Sequence, residues 1–544
     1  MCTELAPPGK AMYVASAADR QWLRSEQRKL YLRSWQDLGY VFEKLWGLVT
    51  DPRNFRCALA RVARNRGRRT AGVDGVTVRM IVAGDPERFV ADLREELRSR
   101  RFRPNPARRV LIPKSGKPGE YRPLGIPTVT DRVVQAAMKN IMEPIFEADF
   151  YPHSYGFRPR RGAHAALEYL RLLLMPRPSW KPKSERRCAY QVAVEGDIKG
   201  CFDNIGHHGL MSRVRRRISD PKLNRLVVAF LKAGILSEGQ FLRTQTGSPQ
   251  GGILSPLLAN IALGVIEERY ERHAWPRRAN RRSWSTRTIR TRAANARSRD
   301  RTAGQPVVMP VRYADDFVLL VGVPPGPDRL ARAMAVAEDE KRQLAQVLGD
   351  SLGLELSAEK TLVTPVTEPL RFLGHHVRLQ CHRKYGWLSN AVIPKHCSHR
   401  LRETIKRILH RSSCRESLES RLRLINWQLR GWGNYYRYAR GAKQVFADLD
   451  RYVWMSIRHW LRKKHPHATM SELNARFGWR APARRSVYWR DGKQDLVRLS
   501  RLPVRRFDLR WLRTPHFAET SMESPVRNER RTPGSEGGAR KPTR

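Results

Sequence analysis

The chain has 544 residues, long enough for several domains with ample core. Its 104 lysines and arginines stand against 51 acidic residues, a formal net charge of +53 spread along the whole length rather than confined to a tail. That balance points to a polyanionic partner, nucleic acid, with a membrane surface as the rival; no amphipathic segment stands out for that rival, and no apolar run approaches the roughly 20 residues needed to span a bilayer.

The N-terminus lacks the charged-then-apolar order of a signal peptide, so a cytoplasmic location is expected. Seven cysteines (Cys2, Cys57, Cys188, Cys201, Cys381, Cys397 and Cys414) are scattered without a Cys-x-x-Cys. This suits a reducing compartment and gives no zinc site. Cys397 and His399 lie close together but lack a second pair, so no metal is expected there.

Residues 1–60 read as helical, with Val41, Phe42, Leu45 and Trp46 at helical spacing in Tyr40–Leu48. Thr70–Val76 is a turn-rich loop. Residues 85–103 form a charged helix, Arg109–Pro113 a short strand, and Lys114–Gly119 a basic turn. Asp131 is expected to cap a helix carrying Val133, Val134, Ala137, Met138, Ile141 and Ile145 on its apolar side. Residues 190–380 alternate strands and helices. The β-prone run Tyr190–Val194 leads to Asp197. Within this region, 271–301 holds eleven arginines and almost no aliphatic residues, which predicts a solvated loop or a segment ordered by RNA.

The apolar runs Val307–Val311 and Phe317–Val321 flank Tyr313-Ala314-Asp315-Asp316. That pattern predicts a β-hairpin with two carboxylates at its tip. An isolated Asp-Asp pair would read as a solvated turn. In an apolar strand context two like charges are poorly tolerated without a cation. Carboxylates at strand ends are where a two-metal phosphoryl-transfer site would be built, since two Mg²⁺ ions about 4 Å apart need several bridging oxygens. From residue 396 the chain turns helical, basic and aromatic, with candidate helices Leu401–Arg411, Glu416–Arg430 and Val445–Lys464. After Ser521 the polar tail, rich in Arg, Gly and Pro, reads as disordered.

Nine blocks follow in order. They are Leu111-Ile112-Pro113-Lys114, Tyr121–Pro127, Ser154-Tyr155-Gly156-Phe157-Arg158-Pro159, Gly196–Ile205, Thr246–Leu257, Tyr313–Asp316, Leu356–Thr361, Phe372-Leu373-Gly374 and Arg430–Tyr436. In this order the chain closely resembles the group II intron-encoded reverse transcriptase/maturase family over residues 60–475. The resemblance implies an α+β fold: a right-hand polymerase with fingers, a palm built on an antiparallel sheet and a helical thumb, followed by a helical maturase domain. It divides the chain into an N-terminal helical extension (1–60), fingers (61–189), a palm with the arginine-rich insertion (190–380), a thumb and maturase region (381–475) and a basic, DNA-binding-like C-terminal region with a disordered tail (476–544).

By this resemblance Asp197, Asp315 and Asp316 are the metal-binding aspartates, with the Ile198 backbone facing the metals and the triphosphate, and the cofactor is a pair of Mg²⁺ ions. Phe202 matches the residue that blocks a ribose 2′-OH; the alternative is a core phenylalanine. Lys114 and Arg122 match residues that hold the incoming triphosphate, against the alternative of a solvated basic loop. Gln250 matches a residue lining the nucleotide pocket. Lys360 matches a lysine that protonates the pyrophosphate leaving group, or else pairs with Glu359 on the surface. Phe372, Leu373 and Gly374 match the loop that supports the primer end. In the maturase segment, Arg430, Trp432, Tyr435, Tyr436, Arg437, Arg440 and Arg451 are the RNA-binding candidates, with some of the rings expected in a helical core.

The expected activity is RNA-directed DNA synthesis from deoxynucleoside triphosphates on an RNA template and primer. It would be coupled to splicing of a group II intron RNA and insertion into a DNA target. An oligomer stays open. The alternatives are a splicing cofactor with an idle polymerase, or a domesticated or defence-associated reverse transcriptase. Residues 480–544 contain no cysteine, so the paired-cysteine endonuclease found in many relatives is not expected, and priming would then use another 3′ end.

Overall fold

The computed structural model describes residues 13–113, 119–176, 187–237, 240–242, 244, 246–247, 251–276, 286–480, 487–492 and 494–509. Lys114, Gln250 and the tail after Ser521 lie outside the described residues. The chain is α+β. Its strands up to residue 392 are β1 (Ala107–Pro113), β2 (Tyr121–Ile126), β3 (Val192–Asp197), β4 (Ile235–Ser237), β5 (Gln240–Leu242), β6 (Val307–Tyr313), β7 (Asp316–Gly322), β8 (Leu362–Pro365), β9 (Leu370–Phe372), β10 (His375–His382) and β11 (Gly386–Val392).

These strands form three sheets, ordered β2-β1-β4-β5, β6-β7-β3-β8 and β11-β10-β9. The second sheet positions the carboxylates. Its central strands are apolar on both faces and are covered on both. Val192, Val194, Phe317, Leu319 and Val321 enter one core. The intervening Ala193, Val318 and Leu320 enter the other with Val307, Met309 and Val311, the period of two that a pleated strand imposes. A separate core holds the helices Lys395–Ile408, Leu418–Tyr436 and Ala442–Lys464 together. Leu418, Leu422, Ile425 and Leu429 share it with Phe446, Leu449, Val453 and Ile457, each set at helical spacing.

Three expectations need correction. Tyr40–Leu45 is not helical, because the Phe42 backbone pairs instead with Arg217 O (2.8 Å) and the Ser219 N–H (3.0 Å). The buried helix Val129–Glu147 is capped by Thr128, not Asp131. Thr128 Oγ1 accepts the Asp131 N–H at 3.0 Å and donates to Asp131 Oδ2 at 2.7 Å, so Asp131 sits at the third helical position. The arginine-rich stretch is not wholly a loop, since Thr286–Thr302 is a helix. Ile289, Ala293 and Ala296 bury one face of it. Asp300 near its end is clasped by Arg272 (2.6 Å) and His273 (2.7 Å).

Candidate active site

The β6–β7 turn is tight. Tyr313 and Asp316 form its closing pair, and Ala314 adopts a left-handed φ of 58°. A residue with a Cβ holds that conformation only when its surroundings over-determine it. Two contacts do so here. A Cβ on Gly156 would lie 2.3 Å from Ala314 N, so only glycine lets the Ser154–Arg158 segment lie against the turn. Beneath the turn, the fully buried Arg312 donates to Ala314 O (2.9 Å), Ser154 Oγ (2.9 Å), Glu267 Oε1 (2.8 Å) and Asn260 Oδ1 (3.2 Å). Asn260 Nδ2 in turn donates to Gly156 O at 2.8 Å. Arg312, Asn260 and Glu267 were not among the sequence candidates. The available signal was a charge inside a buried apolar run, which requires a partner.

Antiparallel pairing of β3 with β7 sets Asp197 directly opposite Asp316, and such neighbours sit about 5 Å apart. Burial raises the Asp316 pKa to about 7, reinforced by the charges of Asp315 and Asp197. Asp315 is also raised, by burial and by Asp197, with Arg122 and Arg312 pulling the other way. Among the described residues, no three acidic, His or Cys side chains are gathered into a ready metal cage. The donor chemistry nevertheless fits hard divalent cations: carboxylate oxygens, mutually repelling, at the open end of a sheet.

Lys360 Nζ contacts Asp197 Oδ2 at 2.6 Å, so its ion partner is Asp197 rather than Glu359. The Ser357 N–H bonds to Asp197 O at 2.8 Å and anchors the Lys360 loop there. Ile198 is buried and its backbone bridges to Leu356. Phe202 is half-buried at the edge of the core, edge-to-face with Phe157 at 6.0 Å. If Phe202 walls off a ribose 2′-OH, Phe202→Ala should raise ribonucleotide incorporation relative to deoxynucleotide by about tenfold or more, one lost steric contact being worth roughly 1–3 kcal/mol. An unchanged ratio in single-nucleotide extension assays would leave Phe202 a packing residue.

Phe372 ends β9, and Leu373 (φ 46°) and Gly374 (φ 67°) make the turn into β10. The helix Leu418–Tyr436 braces this turn. Tyr435 OH donates to Leu373 O at 2.7 Å and Tyr436 OH to Gly374 O at 3.3 Å. Trp432 packs on Tyr436 with ring centroids 4.5 Å apart. These three rings therefore serve the interior. Arg430, Arg440 and Arg451 are exposed, while Arg437 is half-buried and donates to Pro503 O at 3.2 Å.

Carboxylates on adjacent antiparallel strands, flanked by a fingers sheet and braced by a helical thumb, define the palm of a right-hand nucleotidyl-transfer polymerase. Residues 112–377 match the reverse transcriptase (RNA-dependent DNA polymerase) family, and residues 398–478 match the group II intron maturase-specific domain. The chain is 37% identical to Protein YkfC of Escherichia coli over 66% of its own length and 89% of that protein. It is 33% identical to the group II intron-encoded protein LtrA of Lactococcus lactis over 64% of its own length and 58% of LtrA. It is 26% identical to the putative COX1/OXI3 intron 1 protein of Saccharomyces cerevisiae, over 72% of its length and 50% of that protein. The chain thus spans 58% and 50% of the latter two relatives. It belongs to the group II intron-encoded reverse transcriptase/maturase family. Among the described residues, no helix is long and apolar enough to cross a membrane.

Proposed function

We propose that the chain copies RNA into DNA at the Asp197–Asp315–Asp316 cluster and uses its thumb and maturase region to bind a group II intron RNA, assist its splicing and carry it into a DNA target as a cytoplasmic ribonucleoprotein. The observation that carries this reading is the register that sets Asp197 opposite Asp316, beside a turn held at Ala314 by Gly156 and Arg312. Asp197, Asp315 and Asp316 would hold two Mg²⁺ ions, which would neutralise triphosphate charge and activate the primer 3′-hydroxyl. Arg122, whose charge is already felt at Asp315, adds positive potential where the triphosphate enters. Lys360, which contacts Asp197, would give a proton to the departing pyrophosphate. Leu373 O accepts from Tyr435 OH, so the helical thumb supports the turn that would carry the primer end.

Salt dependence tests the RNA half of the proposal. Binding to non-cognate single-stranded RNA should weaken with a log–log slope of about −0.7 per phosphate neutralised. Binding to the cognate intron should fall less steeply, because shape and stacking contacts add to charge. Equal slopes and equal affinities for the two RNAs, measured by filter binding, would reduce the protein to a non-specific polymerase.

A further inference from the structure

A cavity of about 790 Å³ lies between the helix Ala163–Leu174, strand β11, the Tyr438–Gly441 link and residues 504–507, away from the carboxylates. Its size is within the roughly 300–1,000 Å³ of small-ligand sites. Strand β11 is the outer strand of its sheet, and apart from the Arg440 N–H bond to Ala391 O (2.8 Å) its edge faces this space. There the Ser389 N–H finds only the Met175 thioether, at 3.3 Å, a weak acceptor where a strand partner would normally stand.

Three features of the lining point to a ligand. First, Ser389 is 2% exposed, yet its Oγ has no hydrogen-bond partner among the described residues. Buried polar atoms are rarely left so. Second, the walls are aromatic. Tyr385 is 49% exposed and Trp387 stands beside it on the same hairpin, while Tyr438 and Phe507 close another side edge-to-face at 5.1 Å. Third, Arg440, Arg505 and Arg506 are exposed and in no ion pair among the described residues, whereas Glu168 in the lining is already held by Arg171 at 2.7 Å. The space therefore carries uncompensated positive charge.

We propose that this cavity receives an unpaired nucleotide of the bound RNA. The base would stack on Tyr385 or Trp387, its polar edge would be met by Ser389, which shares a strand face with Trp387, and its flanking phosphates by Arg440, Arg505 and Arg506. This rests on the RNA-binding reading of the maturase region and names the place where one nucleotide is captured. The chain's own residues 510–544 are a poorer occupant, since they carry eight lysines and arginines against four glutamates and meet a rim of the same sign.

The test is hydroxyl-radical footprinting of the full-length protein with residue-level readout, alongside equilibrium binding to intron RNA and to a scrambled RNA of equal length. Intron RNA should protect Tyr385, Trp387 and Tyr438 several-fold. Tyr385→Ala and Ser389→Ala should each weaken intron binding by about fivefold to tenfold with an unchanged thermal midpoint, loss of a stacked ring or a polar contact having about that effect. Tyr385 is exposed, so its variant carries the test if Ser389→Ala misfolds. Protection in the RNA-free protein that vanishes when residues 510–544 are removed would assign the cavity to the tail and overturn the proposal. Intron-specific binding with no protection at these rings and no loss in Tyr385→Ala would also overturn it while leaving the maturase reading intact. Failure of the unmodified protein to prefer intron RNA would instead remove the reading on which it rests.

Discussion

Asp315→Ala is expected to lower cDNA synthesis on a primed RNA template by at least about a thousandfold, the scale of several kcal/mol of transition-state charge stabilisation lost with a metal-holding carboxylate. The protein should fold normally. Burial, reinforced by the charges of Asp315 and Asp197, raises the Asp316 pKa to about 7, so removing the Asp315 charge relieves part of that strain in the metal-free protein rather than breaking a bond. The thermal midpoint should hold or rise, and RNA affinity should change by less than about twofold, because a half-buried acidic group in the palm adds little to an interface made by exposed arginines. Extension at the unmodified rate would end the assignment of these carboxylates. Loss of extension together with a collapsed midpoint would mean that Asp315 is needed for folding instead.

Arg312→Met is expected to act in the opposite way, on stability first. It leaves the Glu267 carboxylate, which is 0% exposed, without its cation. It also strips partners from Ala314 O and Ser154 Oγ. Breaking one side of a buried ion pair costs about 3–5 kcal/mol, and a large share of domain stability would go with it. Chemical denaturation followed by intrinsic fluorescence should report that loss, and cDNA synthesis should fall because the Ala314 turn is no longer held. Arg312→Lys should recover part of the charge term but not the four-way geometry, since an ammonium cannot fork as a guanidinium does. Replacing both Arg312 and Glu267 by Met should restore most of the stability lost in the single variant. A single variant within about 1 kcal/mol of the parent would show that the network is incidental to the turn.

The hairpin was legible because its signal is local. Apolar runs on both sides of Tyr313–Asp316 leave a buried strand pair as the natural solution, and β6 and β7 pair through the closing Asp316. The helices beyond residue 394 were legible for the same reason, their leucines, isoleucines and valines recurring at helical spacing. What stayed hidden depends on contacts far apart in the chain. Arg312 meets partners 45, 52 and 158 residues away, and Lys360 meets Asp197 across 163. No periodicity encodes such pairs. Tyr435 and Tyr436 read as RNA-facing rings because they sit among arginines, but the helix turns them inward to the Leu373–Gly374 turn. The arginine-rich stretch hid its helix because three small or aliphatic side chains, Ile289, Ala293 and Ala296, are enough to seat one face.

One chain is held here to carry two separable activities, polymerisation at the palm carboxylates and RNA folding at the exposed basic face of the thumb and maturase region. Splicing of the cognate intron at low Mg²⁺, where the RNA alone folds poorly, measures the second without the first. Asp315→Ala should promote splicing as the unmodified protein does, because the intron supplies its own catalytic metals. The triple variant Arg430→Ala, Arg440→Ala, Arg451→Ala should lose about tenfold or more of the splicing rate while keeping most of its extension of a short non-cognate primer–template. Normal splicing by the triple variant, or splicing abolished by Asp315→Ala, would contradict the separation of the two activities.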